Sequence, residues 1–134
     1  MSERVFLDTS VLIRYLAEED PPRALAAARL IEGDRMLVLS GVVLLETIHG
    51  LRTSMGHSNS DLARAIIGFL SRSNVGLVDA DRAHVVGALE WTIRSSARRI
   101  PDAILAATAL QASCDWIATF DEAFASPTVP SRLL

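Results

Sequence analysis

Two short apolar runs, far apart in the chain, each stop at an acid: Val5-Phe6-Leu7-Asp8 near the start and Trp116-Ile117-Ala118-Thr119-Phe120-Asp121 near the end. Runs of this length, bounded by polar residues, read as buried strands that deliver a carboxylate at their carboxyl ends. Between them, strand-like and helix-like segments alternate. That pattern predicts an α/β fold with a parallel sheet covered on both faces by helices, and such sheets bind ligands outside the carboxyl ends of their strands.

The remaining elements follow from periodicity and caps. A short helix is expected over 11–16, then the acidic run Glu18-Glu19-Asp20 capping a helix over 23–32 with Pro21 and Pro22 at its first positions. Met36–Leu39 is a second strand, and Ser40 caps a helix that carries Glu46 in its second turn. Residues 53–60 read as a loop, 61–71 as a helix, and 76–79 as a third strand. Asp81 is placed to cap a helix over 82–96, and Pro101 to open one over 102–113. No internal repeat or second domain interrupts the series, so residues 1–134 are expected to form one domain.

The chain has 134 residues, enough to bury roughly 65 to 70% of its unfolded surface. Half of them are hydrophobic and the mean hydropathy is +0.30, more apolar surface than so small a monomer hides, so a homodimer is expected. No run approaches a membrane span, and Glu3 and Arg4 break any leader-like start, so a soluble, cytoplasmic protein is expected. Cys114, the one cysteine, lies near the end of an apolar helix and is expected to be packed. The net charge of −3 argues weakly against a general nucleic-acid binder, which usually shows a basic stripe, and bound divalent ions would change that sign.

Four acids, Asp8, Glu46, Asp102 and Asp121, each fall where an apolar element meets its turn, and one fold can bring them together. Carboxylates ~4 Å apart repel by about 4 kcal/mol at an effective dielectric of 20, so such a cluster calls for cations or protons. All-oxygen ligands favour Mg²⁺, with Mn²⁺ as a substitute, and Thr9, Ser10 and Thr119 are placed to orient water or the carboxylates. A metal bound there supports phosphodiester hydrolysis. An empty cluster also predicts that Asp102→Asn raises the melting temperature of the metal-free protein by removing one repelling charge.

Asp8-Thr9-Ser10 after the first strand, Glu46 in Glu-Thr-Ile-His-Gly-Leu, Asp102-Ala103 opening an alanine-rich helix, and Thr119-Phe120-Asp121 after the last long strand resemble the PIN-domain ribonucleases. Length and motif order are most similar to the VapC toxins of bacterial toxin–antitoxin pairs. The resemblance implies a three-layer PIN-like fold, with a central, mostly parallel sheet of four or five strands flanked by helices. It also implies a Mg²⁺-dependent endoribonuclease with Asp8, Glu46, Asp102 and Asp121 as its acidic quartet. RNA is then the substrate and a cognate antitoxin the partner, its C-terminal segment lying in an apolar groove near the first helices and the one bearing Glu46. Pro101 departs from the family, where a bulkier residue is common before the third acid.

Arg14, Arg52, Arg94, Arg98 and Arg99 are candidates for holding RNA phosphates, with solvated helix ends as the plainer account. Asp79 follows a strand too and is set aside, as are His49, His57 and His84. Every one of the 13 basic residues is arginine, and the absence of lysine excludes a receiver domain, a haloacid-type phosphatase and a P-loop site. The alternative from another class is a PIN fold serving as a non-catalytic RNA- or protein-binding module.

Overall fold

The computed structural model describes residues 3–17, 20–55, 58–94 and 99–134. Strand β1 (Arg4–Phe6) leads into helix α1 (Thr9–Ala17), followed by α2 (Pro21–Ile31), β2 (Met36–Leu39), α3 (Gly41–Met55) and α4 (Asn59–Leu70). Then come β3 (Val75–Leu77), α5 (Arg82–Ile93), α6 (Ile100–Gln111), β4 (Ile117–Thr119) and β5 (Ser131–Leu133). The α/β alternation and parallel pairing hold, as expected of a PIN-like fold.

The strands do not form one sheet of four or five. β2 pairs in parallel with β1 on one side and β3 on the other, while β4 and β5 form a separate parallel pair. The chain leaves α6 through Ser113, in the left-handed region at φ 59°, and β4 takes β5 as its partner. Thr128 fastens this pair to α6 by donating its hydroxyl to the Ala106 carbonyl at 2.7 Å.

Side-chain alternation explains how the three-stranded sheet sits. Leu37, Leu39 and Val75 are buried, whereas Met36, Phe6 and Val78 are exposed, so one face carries the core and the other stays open. The core joins that face to Leu12, Ile31, Leu44 and Ile48, each side chain contributing about 1.5–3 kcal/mol when removed from water. α5 shows why it folds as a helix: Val85, Ala88, Leu89 and Thr92 are its buried residues, at helical spacing. α6 packs against α5 and α3 through Ile100, Ala103, Ile104 and Ala107. The small residues allow the backbones to approach.

Caps match the sequence in part. Asp81 accepts from the Ala83 N–H at 2.8 Å, as expected, and Ser58 accepts from Asp61 at 3.2 Å. Asp20 does not cap α2: it sits at φ 57°, and its carboxylate pairs with Arg23 at 3.3 Å. Glu18 and Glu19, read as part of that cap, lie outside the described residues. α3 extends to Met55 and α4 begins at Asn59, so 53–55 and 59–60 of the expected loop are helical, while 56 and 57 lie outside the described residues. Cys114 is exposed rather than packed, because α6 ends at Gln111 and the chain turns outward before the thiol.

Candidate active site

Asp102 lies in the first turn of α6 and is only 8% exposed, an unusual degree of burial for a carboxylate. Its Oδ2 accepts from Arg99 Nε at 3.2 Å and stands 3.1 Å from Nη2. The same Nη2 donates to Asp121 Oδ2 at 2.5 Å. Two of the four acids, one at a helix start and one just past a strand, therefore aim an oxygen at one positive centre.

The sequence locally dictates the Asp121 turn. Its own N–H donates to Thr119 Oγ1 at 3.0 Å, and its Oδ1 accepts from the Ala123 N–H at 2.9 Å. Arg99 holds the Asp121 carboxyl below the ordinary carboxylate range, helped by the Ala123 N–H. Asp121 in turn raises the Arg99 guanidinium, with the charge of Asp102 adding to the effect.

Asp8 is exposed between β1 and α1. Its Oδ2 accepts from the Ser10 hydroxyl at 2.5 Å and from the Ser10 N–H at 3.1 Å, while Val11 N–H bonds its carbonyl. The Ser10 hydroxyl is the main reason its carboxyl lies below the usual range, followed by the Ser10 N–H. Thr9 opens the helix beside it. Glu46 is exposed on α3, in its second turn.

Among the described residues no three His, Cys, Asp or Glu side chains stand close enough together to hold a metal. Asp8 was expected to share a sheet edge with Asp121, but their strands belong to different sheets. Arg99 compensates Asp102 and Asp121, so the metal-free pair is attracted to a cation instead of repelled within itself.

The arginines divide by their partners. Arg99, a candidate for RNA phosphate, is held by the two acids. Arg52 donates to Asn59 across the α3–α4 junction. Arg94 ends α5 and is exposed, and Arg98 lies outside the described residues. Arg14 lines a cavity of about 410 Å³ between α1 and α2, with Val11, Ala27 and Leu30 as its apolar walls and Arg23 opposite. Sequence reasoning missed Arg23, although its spacing from Ala27 and Leu30 puts all three on one helical face.

Asp79 has a structural task. Both its oxygens lie within 3.2 Å of the Gly41 N–H, so a residue after β3 caps the helix that carries Glu46. It also lines a groove of about 520 Å³ that reaches Asp102, walled by Val42, Leu45, Ile104 and Leu105.

The chain is similar in structure to a Mycobacterium tuberculosis protein described as VapC20, a sarcin–ricin loop cleaving toxin, at 20% identity over 84% of this chain and 85% of that one, with a TM-score of 0.42. No curated protein matches the sequence. The PIN domain family matches residues 5–128, a span that includes all four acids, and the chain belongs to that family.

Proposed function

We propose that this PIN domain is a Mg²⁺-dependent endoribonuclease of the VapC toxin type, with Asp8, Glu46, Asp102 and Asp121 as its metal-holding carboxylates. The observation that carries this reading is the convergence of Asp102 and Asp121 on one positive centre. Two carboxylate oxygens that share a guanidinium nitrogen present the hard, all-oxygen chemistry that Mg²⁺ or Mn²⁺ takes. A divalent ion held there supplies a polarised phosphate oxygen and an attacking water of lowered pKa.

The chain's own residues do the rest. The Ser10 hydroxyl keeps Asp8 ionised and oriented, and Thr119 holds the turn that presents Asp121. Arg99 would have to give up at least one carboxylate oxygen for these acids to hold a divalent ion, and its guanidinium would then be a bidentate donor suited to phosphate.

The expected partners are RNA, a cognate antitoxin and a second copy of the chain. The cavity between α1 and α2, apolar with Arg14 and Arg23 at its sides, suits an antitoxin segment that carries both an apolar side chain and a carboxylate. Exposed Phe6, Val42, Val78 and Leu105 supply apolar surface for a homodimer. Among the described residues no helix is long and apolar enough to cross a membrane, and the expected location is the cytoplasm.

Purified protein should cut RNA in Mg²⁺, stop on chelation and resume when Mg²⁺ is restored. Cutting that persists in chelator contradicts the proposal. One observation favours a second reading, a non-catalytic binding module: Arg99 already neutralises the two acids that meet. RNA bound but left whole in Mg²⁺ is the outcome that selects it.

A further inference from the structure

Beside the acidic pair, the β4–β5 sheet has an open face with a chemistry of its own. Trp116, Ala118 and Phe120 are exposed while Ile117 and Thr119 between them are half-buried, so the first three share the outer face. The register pairs Ala118 with Arg132, which puts Arg132 on that face as well. Its guanidinium carbon lies 4.7 Å from the Trp116 ring centroid, a cation stacked on the indole. Phe120 is 80% exposed and immediately precedes Asp121.

The row therefore runs from an arginine–tryptophan stack to a bare phenyl ring and ends at the acid held by Arg99. Trp116 and Phe120 are four strand residues apart, roughly 13 Å at ~3.3 Å per residue. We propose that this face is a stacking platform for single-stranded RNA, with one base on Phe120, another on the Trp116–Arg132 stack, and the phosphate chain led to Asp121 and Asp102. The assignment of RNA as the occupant rests on the ribonuclease reading above.

Three considerations select this occupant. Rings and guanidinium planes take unpaired bases by stacking whatever the sequence, whereas the bases of a duplex are already stacked on one another. The exposed guanidinium of Arg132 complements phosphate, but under a second copy of the chain it would be a charge taken out of water, and among the described residues no acid forms an ion pair with it. With a net charge of −3 the protein lacks the broad basic field that usually supplies RNA affinity, so local stacking must carry a larger share.

The test measures binding without cleavage: anisotropy of a short, labelled, mixed-sequence single-stranded RNA in chelator, with sedimentation of each variant alongside. Phe120→Ala and Phe120→Leu should each weaken binding by about 10-fold, within the range for loss of one base–ring stack, while Phe120→Trp retains it. Leucine keeps the apolar bulk, so its failure separates stacking from simple hydrophobic contact. Phe120 is exposed, and an unchanged melting temperature shows that each variant is folded.

Wild-type protein that does not bind the RNA, or Phe120→Ala and Phe120→Leu variants that bind as the wild type does, overturns the platform. So does a Phe120→Ala variant whose only change is its oligomeric state, because the face is then an interface between copies. The two proposals fail separately. A protein that cuts RNA and binds it equally well without Phe120 keeps the ribonuclease and loses the platform; one that never cuts, yet binds through Phe120, does the reverse.

Discussion

Asp102 and Asp121 direct their Oδ2 atoms at the same nitrogen of Arg99, 3.1 Å and 2.5 Å away. One acid belongs to the first turn of a buried helix and the other to an exposed turn after a short strand, so the guanidinium is a bridge between α6 and the β4–β5 pair. A cation held by these two carboxylates would compete with it for their oxygens. The stability and metal response of the protein both follow from that competition.

The first consequence is a reversal of sign. A cluster of uncompensated acids predicts that Asp102→Asn stabilises the metal-free protein, but the bridge predicts that it lowers the melting temperature, because Arg99 loses its more buried partner. Mg²⁺ should raise the melting temperature of the wild type by mass action and raise that of Asp102→Asn less. A higher metal-free melting temperature in Asp102→Asn would show that repulsion outweighs the bridge.

Acid should dissolve the bridge. The Asp121 carboxyl is lowered in the folded chain, chiefly by Arg99, so its contribution is fully present above the ordinary aspartate value of ~3.9 and is lost as pH falls through the lowered value. The difference in melting temperature between wild type and Arg99→Ala is expected to hold steady from neutral pH down to about 5 and to shrink below about 4. A difference as large at pH 3 as at pH 7 contradicts this, both values being chosen on either side of ~3.9.

Asp79 provides a contrast between support and chemistry. Asp79→Ala removes the carboxylate from the Gly41 N–H and should cost about 1 kcal/mol, the ordinary worth of a helix cap. Cleavage per folded molecule should remain within a few-fold of the wild type. Denaturant unfolding and RNA cleavage on the same preparation check both halves, and an inactive but stable Asp79→Ala would move the site to Asp79.

How much could be read from the chain depends on the range of each interaction. Asp81 as a cap, Pro101 at a helix start and the strand that ends before Asp8 are local, governed by residues within a turn of one another, and they were legible. The division of the strands three and two was not, because Ile117–Thr119 reads as a strand whichever partner it takes. Arg99 reaching Asp121, and Asp79 reaching Gly41, join residues that no periodicity links. Asp20 looked like a cap by residue type, yet its left-handed backbone turns the carboxylate toward Arg23. Phe120 was counted only as a strand residue, and the alternation of its neighbours was the available sign that it faces outward.

The most direct test of the central claim is the rate of RNA cleavage by Asp8→Asn in saturating Mg²⁺, from a preparation shown to be free of other nucleases. Asparagine keeps the side chain's shape and its bond to Ser10 while removing the ligand charge. The rate should fall at least about 100-fold, since even a residue that only supports a metal ligand can be worth that much, with the melting temperature of the metal-free protein little changed. Mg²⁺-dependent cleavage at the wild-type rate in folded Asp8→Asn would contradict a metal centre built on these carboxylates.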